Sequence, residues 1–312
     1  MKNTQKRNQT ELTKQEEAIV NGFSQEAVER IMTPKNDFVF KKLFGTVGRE
    51  KMVKDFLEAI LNIKIKTIEL GKETILLPDE VDEKVGVLDV RLTLEDGTEI
   101  DLEMQNAQNS FIIKRSHFYA SRLYAKKIEA GGKYQELKKA IVIFITNFEV
   151  FSKLPKYHTI WKMTEQDYLE EHFDEIELHF IELPKFLATK YNKKRKIDQW
   201  LLFLDYSQRE MIREIMEENE NVKEAEEAME KMKKDKHLQY LAWLREKQIL
   251  DSNSMKYEGI MIGREEGRKE GIKDTAKRML KANIDIEVII QVTELTKEEI
   301  EEIKKEIDRE NT

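Results

Sequence analysis

The chain has 312 residues, a formal net charge of −7, 37% charged and 40% hydrophobic residues, five histidines and no cysteine. The missing cysteine excludes disulfides, thiolate zinc sites and cysteine nucleophiles, and the high charge indicates long solvated helices beside a packed core. The longest strongly apolar run, residues 140–146, is far shorter than the roughly 20 residues of a membrane helix, and no secretory signal pattern opens the sequence, so we expect a cytoplasmic protein without membrane association.

The first part of the chain changes from polar to amphipathic sequence. Residues 1–30 are polar and predict an N-terminal arm with at most a short helix. The helix-start signal TPKND at 33–37 is followed by an apolar face, and residues 49–61 carry apolar side chains at helical spacing. Residues 63–70 predict a strand. The sequence therefore predicts two helices and a strand before its most informative segment.

That segment is 88–105, LDVRLTLEDGTEIDLEMQ, in which apolar and polar residues alternate on both sides of an Asp-Gly turn. Side chains of a strand alternate between faces, so the two apolar sets share a face only in one parity of pairing. A two-residue loop gives the wrong parity. A three-residue loop at 95–97, with Gly97 in the left-handed conformation, gives the right one. It pairs Asp89 with Glu103, whose Cβ atoms are then about 4.5–5.5 Å apart.

Two carboxylates at this distance repel each other unless a cation lies between them. Mg²⁺ is a hard cation that prefers oxygen ligands, and the backbone carbonyl of Met104 is a further oxygen within this set. The alternative is an ordinary amphipathic hairpin with a solvated acidic face, tied by Arg91. Alternation alone favours that alternative, because half-solvated antiparallel strands are common.

The next elements predict the rest of a sheet. Residues 111–130 predict a helix that ends at Gly131-Gly132, and 140–148 predict a strand buried on both faces. Further strand candidates are 159–163 and 176–183. We place an α/β domain at residues 31–205.

The remaining sequence is predicted to be helical. We divide it into a charged helical region at 206–252 and a glycine-repeat helix with a small helical hairpin at 253–312. The hairpin has two short helices with Thr296 as N-cap of the second. A DNA-reading helix-turn-helix is one interpretation, but the acidic second helix favours a packing or oligomerisation hairpin.

Charge is unevenly distributed around the hairpin segment. Residues 111–165 have 11 Lys/Arg and 4 Asp/Glu, a balance of 11 − 4 = +7, whereas 69–110 have 3 and 12, a balance of 3 − 12 = −9. This is compatible with a metal centre beside a phosphate-binding surface. Two differently solvated faces explain the same counts.

Four segments in this order resemble the PD-(D/E)XK nuclease superfamily, and specifically its transposase-like branch, the Rpn family of recombination-promoting nucleases. They are NDFVFKKLFG (36–45), LDV (88–90), IDLEMQ (100–105) and KRSHFYASRLYA (114–125). The resemblance covers roughly residues 33–205. It implies an α/β fold with an αβββαβ core, that is, a mixed central sheet flanked by helices, and a helical C-terminal extension.

The resemblance also implies roles for individual residues. Asp89 and Glu103 would hold Mg²⁺ or Mn²⁺, with the Met104 carbonyl as a further ligand. Gln105 stands where most of the superfamily has lysine; an amide can orient a water by hydrogen bonds but carries no charge to offset that of the phosphate. The acidic residue of the first helix is best assigned to Asp37, with Glu50 and Glu58 as alternatives.

Several cations and one aromatic residue complete the expected site. Lys41, Lys114 or Arg115 could replace the missing lysine charge. Arg115, Tyr119 and Arg122 lie on one helix face at i, i+4 and i+7, where they could steady phosphates. Alternatively, Tyr119 packs on the sheet and the arginines are surface residues.

The function implied by the resemblance is that of a Mg²⁺-dependent endodeoxyribonuclease, nucleoid-associated and linked to transposition or recombination, with DNA as its substrate. The alternative is a catalytically degenerate nuclease fold that acts as an oligomerising interaction module.

Glycines recur every fourth residue, at Gly259, Gly263, Gly267 and Gly271, and either let two helices approach closely or mark a weak helix. We expect a homo-oligomer through the C-terminal helices.

Overall fold

The computed structural model describes residues 12–71, 90–125 and 133–310. Their contacts divide the chain after Lys247 into two compact units. No helix among these residues is long and apolar enough to cross a membrane.

Four helices precede the sheet: α1 (Lys14–Asn21), α2 (Gln25–Ile31), α3 (Asp37–Phe44) and α4 (Glu50–Leu61). The first two lie in the segment expected to be a polar arm. Both helices pack on the protein through buried side chains, Val20 in α1 and Val28 and Ile31 in α2. Helix α3 begins at the N-cap Asn36, whose side chain accepts hydrogen bonds from the backbone N–H groups of Phe38 and Val39.

The described strands form one six-stranded sheet in the order β1-β2-β3-β4-β6-β5. The strands are β1 (Ile68–Leu70), β2 (Val90–Leu94), β3 (Glu99–Gln105), β4 (Ala140–Thr146), β5 (His158–Thr164) and β6 (His172–Glu182). β3, β4 and β6 run parallel to one another, and the other neighbours are antiparallel. Helix α5 (Ile112–Ala125) crosses from β3 to β4. This mixed sheet with flanking helices confirms the predicted fold class.

The hairpin of β2 and β3 has the register that the three-residue loop predicts. Val90 lies opposite Leu102, and Leu92 lies opposite Ile100. Gly97 has φ 87°, a left-handed conformation that favours glycine, and its N–H donates to the Leu94 carbonyl over 2.9 Å. The parity argument is therefore confirmed for the described pairs. Asp89, which comes next in this register, lies outside the described residues.

The sheet is covered on both faces. One face carries apolar side chains of β2, β3 and β4 and packs on α3, α4 and the later helices α7 (Lys196–Asp205) and α9 (Glu220–Lys234). At the centre of this core the Trp200 ring is 5.3 Å from that of Phe56, and its Nε1 donates to Asp55 over 3.0 Å. The other face packs on α5.

The remaining helices are α6 (Leu183–Leu187), α8 (Arg209–Glu218), α10 (Lys236–Lys281), α11 (Ile286–Thr293) and α12 (Lys297–Glu310). In the second compact unit, Ile289 and Ile300 are buried with Ala276. Thr296 and Glu299 form the predicted capping box before α12. Helices α11 and α12 thus pack on the last turns of α10.

A chain of buried and half-buried polar side chains links the outer strands β5 and β6. His158 Nε2 is 2.9 Å from His179 Nδ1, and His179 Nε2 is 2.6 Å from Glu177 Oε1. Burial, and then the neighbouring His179, lower the pKa of His158 to about 4, although Glu177 acts in the opposite direction. The folded protein therefore favours neutral His158.

We expect this chain to make the folded state sensitive to acid. The pKa of His158 in the folded protein is below its ordinary value of 6.5, so the unfolded chain takes up a proton at a higher pH than the folded one. The contribution of His158 to the free energy of unfolding is therefore highest above pH 6.5 and falls as the pH falls toward 4. Between pH 7.5 and pH 5 the parent should lose about 2 kcal/mol more unfolding free energy than a His158→Gln variant. Urea unfolding at the two pH values measures this. His237 of α10, changed to glutamine, is the control and should behave as the parent. Equal pH dependence in all three proteins contradicts the assignment.

Candidate active site

Glu103 lies near the carboxyl end of β3, on the face that α5 covers. The polar set of this strand is buried: the exposed fractions are 7% for Glu99, 1% for Asp101 and 1% for Glu103. The interpretation of the hairpin as one with a solvated acidic face is therefore wrong. These side chains are buried by elements distant in sequence. Strand β4 pairs with the edge of β3 opposite β2, and α5 packs over the face that carries Glu103.

Two donors converge on one oxygen of this buried carboxylate. The Gln105 amide Nε2 donates to Glu103 Oε2 over 2.7 Å, and Arg115 Nη2 is 3.6 Å from the same oxygen. Gln105 follows Glu103 by two residues on a strand, so the two side chains lie on the same face. The amide and the guanidinium together place hydrogen-bonding capacity and positive charge beside Glu103.

Packing of α5 on the sheet positions Arg115. The Tyr119 ring stacks on that of Phe144 at 6.4 Å, and Phe144 is the β4 residue paired with Glu103. The Arg115 guanidinium lies 4.9 Å from the Tyr119 ring centroid. Tyr119 thus packs on the sheet and also holds the cation near Glu103. Arg122, expected on the same face, is solvent-exposed.

The backbone of Met104 is directed away from β4. Glu99 N–H donates to the Lys139 carbonyl, and Asn147 N–H donates to the Gln105 carbonyl, so the odd-numbered residues of β3 bond to β4. Along a strand the direction of the N–H and C=O groups alternates. The Met104 carbonyl therefore points to the β2 side of β3.

The acidic residue expected on the first helix is engaged by a distant arginine. Asp37 is the first residue of α3 and is 6% exposed. Arg245 of α10 binds it with Nε 2.9 Å from Oδ1 and 2.7 Å from Oδ2. The alternatives serve local turns, since Glu50 accepts from Gly48 N–H and Glu58 accepts from Ile65 N–H. Asp37 is thus held by charge-assisted hydrogen bonds from a side chain, whereas Glu50 and Glu58 accept from backbone N–H groups.

The two remaining expected cations are more loosely placed. Lys41, on α3 one turn after Asp37, is half-buried. Lys114 is exposed, with Nζ 5.8 Å from the Phe111 ring centroid. Of the three candidates for the missing lysine charge, Arg115 lies close to the Glu103 carboxylate, with Nη2 3.6 Å from Oε2.

A family model described as PD-(D/E)XK nuclease family transposase matches residues 34–259, more than half of the chain. The chain belongs to this family. The predicted superfamily is thereby confirmed, and nuclease activity connected with transposition is the activity that the family name implies. No curated protein and no solved structure matches the chain.

Two asparagines at the same edge of the sheet were not singled out from the sequence. Asn106 follows β3, and its side-chain Nδ2 donates to the carbonyl of Lys35, which connects β3 to the start of α3. Asn147 follows β4 and is exposed beside Gln105. Ligands of α/β sheets bind beyond the carboxyl ends of parallel strands, and this rule could have pointed to both residues.

The donors at this edge suit the divalent metals that nucleases of this family use. The Glu103 carboxylate and the Met104 carbonyl are hard oxygen donors of the kind that Mg²⁺ and Mn²⁺ prefer. Within the described ranges, no group of three or more acidic or histidine side chains could hold a metal. Asp89 lies outside those ranges, so its part in such a site stays a prediction.

Proposed function

We propose that the protein is a metal-dependent DNA endonuclease that hydrolyses phosphodiester bonds and acts in transposition or recombination, with Asp89 and Glu103 as ligands of Mg²⁺ or Mn²⁺. The register of the β2–β3 hairpin is the observation that carries this proposal. If the register continued to the residue before Val90, it would pair Asp89 with Glu103. The match to the nuclease family supports it independently.

The side chains around Glu103 have separate tasks in this proposal. A cation held by Asp89, Glu103 and the Met104 carbonyl would supply Lewis acidity at the scissile phosphate. The Gln105 amide, which donates to Glu103 over 2.7 Å, fixes that carboxylate and can orient a water through its oxygen. Arg115 supplies the positive charge that glutamine lacks, because its guanidinium lies 3.6 Å from the same carboxylate oxygen.

The wider surface would bind the DNA backbone. We assign phosphate contacts to Arg122, Lys41 and Lys114, and a supporting role to Tyr119, which holds Arg115. Asp37 supports the site from α3, fixed by Arg245. The excess of basic residues in 111–165 fits this use, since neutralised phosphates supply most non-specific affinity for DNA.

The first experiment is cleavage of supercoiled plasmid with Mg²⁺, with Mn²⁺ and with an added chelator. The proposal expects nicked or linear plasmid with either metal and intact plasmid with the chelator. Intact plasmid under every metal condition, or nicking that the chelator does not stop, contradicts it.

We also propose a homo-oligomer through α10. Its four repeated glycines are exposed, and a Cβ atom added at any of them would meet nothing within 4 Å. Positions equally far before and after Gly267 in the sequence carry opposite charges. Glu266 and Arg268 are one residue away from it, and Glu265 and Lys269 are two residues away. Two antiparallel copies related by a two-fold axis at Gly267 would therefore pair opposite charges along closely approaching backbones.

We expect reversal of one charge to weaken this oligomer. A Glu266→Arg variant would place arginine opposite Arg268 of the other copy, twice per dimer, and should raise the dimer dissociation constant about tenfold. Sedimentation over a concentration series measures it. The swapped variant Glu266→Arg/Arg268→Glu restores opposite charges and should associate as the parent. If the single and the swapped variants associate equally, the antiparallel arrangement is wrong.

A further inference from the structure

A cavity of about 500 Å³ lies between α5 and the outer strands β5 and β6. Its lining is largely apolar and aromatic and includes Phe151 and Phe180. Trp161 and Met163 line it from β5 and are 43% and 65% exposed. Large exposed apolar side chains around a concave site indicate a binding surface, and this volume is that of a small-molecule site.

A line of aromatic rings connects this cavity with the proposed nuclease site. The line begins with Tyr119, under Arg115, and with Phe144 beneath it. The ring of Phe180 lies 5.4 Å from that of Phe144, and Phe151 lies 5.1 Å from Phe180. Trp161 is 4.8 Å from Phe151.

Helix α5 also connects the cavity with the proposed nuclease site. Its residues Ser116 and Ala120 line the cavity. Ser116 directly follows Arg115, and Ala120 directly follows Tyr119, the two side chains described near Glu103. Neighbouring helix positions are about 100° apart around the axis, so the two faces adjoin.

The polar groups of the cavity and the charge around it limit the chemistry of its occupant. His117 lines the cavity and is exposed, with Nδ1 2.8 Å from the Ile113 carbonyl, which leaves Nε2 for another partner. Lys162 also lines the cavity, with Nζ 2.7 Å from Asp174 Oδ1 and 3.4 Å from Glu177 Oε2. The side of the cavity formed by α5 and β5 is basic, since these two elements contain four Lys/Arg and no Asp/Glu, whereas β6 on the other side contains four Asp/Glu and no Lys/Arg. A flat aromatic group carried by an anionic chain that runs along the basic α5 side fits this combination.

We propose that this cavity receives an unstacked base of the DNA, so that the substrate class is DNA with an unpaired or mismatched nucleotide. This inference rests on the proposed function and names its substrate. Bases stack on exposed aromatic side chains, and the stacking tolerates any sequence because every base has a π-face. Extruding a base from a duplex costs least where it is already unpaired. The cavity therefore selects DNA structure, not sequence.

The test is binding in a chelator, where hydrolysis plays no part. Two labelled duplexes are compared, one fully paired and one with a single-base bulge, and fluorescence anisotropy gives their dissociation constants. The parent should bind the bulged duplex about tenfold more tightly. Trp161→Ala should lose this preference with unchanged affinity for the paired duplex, whereas Trp161→Phe, which can still stack, should keep most of it.

Two further variants control for folding and for general loss of affinity. Met163→Glu places a negative charge at the cavity mouth and should also remove the preference, even if Trp161→Ala proves unstable. Tyr134→Ala removes an aromatic side chain that is 85% exposed and does not line the cavity, and it should bind both duplexes as the parent does.

Equal binding of both duplexes by the parent overturns the inference. A Trp161→Ala variant that weakens binding of both duplexes alike also overturns it, as does one that lowers self-association without DNA, because the cavity would then receive a second copy. The outcome is separate from that of the proposed function. A bulge preference without metal-dependent cleavage removes the nuclease proposal alone, and cleavage without the preference removes only this one.

Discussion

Replacing Glu103 by glutamine is expected to lower metal-dependent DNA cleavage by at least about 10³-fold. The substitution keeps the size of a side chain that is 1% exposed and removes the charge that would bind a divalent cation. The Gln105 amide can still donate to the remaining oxygen, so the local packing should survive. Asp89→Asn should have an effect of similar size, because the proposal gives the two carboxylates one cation to hold. Rates of plasmid nicking at saturating Mg²⁺ measure both.

Glu99→Gln is the matched control for this result. Glu99 lies on the same strand and face, is 7% exposed, and accepts a hydrogen bond from the Thr93 hydroxyl that glutamine can also accept. The same chemical change at this position should leave cleavage within a few-fold of the parent. Equal losses at Glu99 and Glu103 would mean that the strand tolerates no neutral side chain, and undiminished cleavage by Glu103→Gln would remove it from the site.

The largest expected effect on stability is at Lys185, in α6. Its Nζ donates to the carbonyls of Phe151 and Leu154 and lies 2.9 Å from Glu182 Oε2. Glu182 is fully buried and accepts from the backbone N–H of Val150. Lys185→Met removes the cation and leaves the buried carboxylate without it, which should lower the unfolding free energy by about 3–5 kcal/mol. Urea unfolding at pH 7.5 measures this loss.

Two controls separate the ion pair from general effects of the substitution. Lys190→Met changes an exposed lysine five residues away and should cost less than about 0.5 kcal/mol. In the double variant Glu182→Gln/Lys185→Met the buried charge is gone, so the combined loss should be smaller than the sum of the single losses. Strict additivity would show that the two side chains do not act as a pair.

Local sequence was sufficient to predict the hairpin and its neighbours. The alternation in 90–105 and the glycine at Gly97 fix both the face and the register, because a one-residue shift would move every apolar side chain to the wrong face. The run at 140–146 is a strand with every residue buried, as its unbroken apolar sequence predicts.

The surroundings of Glu103 depend on contacts that no local pattern contains. Alternation could not distinguish a solvated acidic face from a buried one, since the difference arises from β4 and α5 packing over β3. Arg245 binds Asp37 across 208 residues of sequence, and nothing in the charged helix that carries it marks this one arginine. Asp89 lies outside the described residues, so its pairing with Glu103 continues to depend on the parity argument.

In the proposed site, Arg115 would supply the positive charge that Gln105 lacks. A glutamine cannot supply the positive charge of a lysine. Arg115, carried by α5 and held over Tyr119, brings a permanent cation to the same carboxylate oxygen that Gln105 contacts. In the proposed site, hydrogen bonding and charge, which one lysine combines, would be divided between two side chains.

Binding of Mn²⁺ is the most direct test that Asp89 and Glu103 share one cation. Titration followed by electron paramagnetic resonance, without DNA, reports free and bound Mn²⁺ and does not depend on cleavage. The account predicts one bound ion per chain in the parent and in Glu99→Gln, and loss of that ion in both Asp89→Asn and Glu103→Gln. Unchanged Mn²⁺ binding in either of those two variants, or none in the parent, would contradict it.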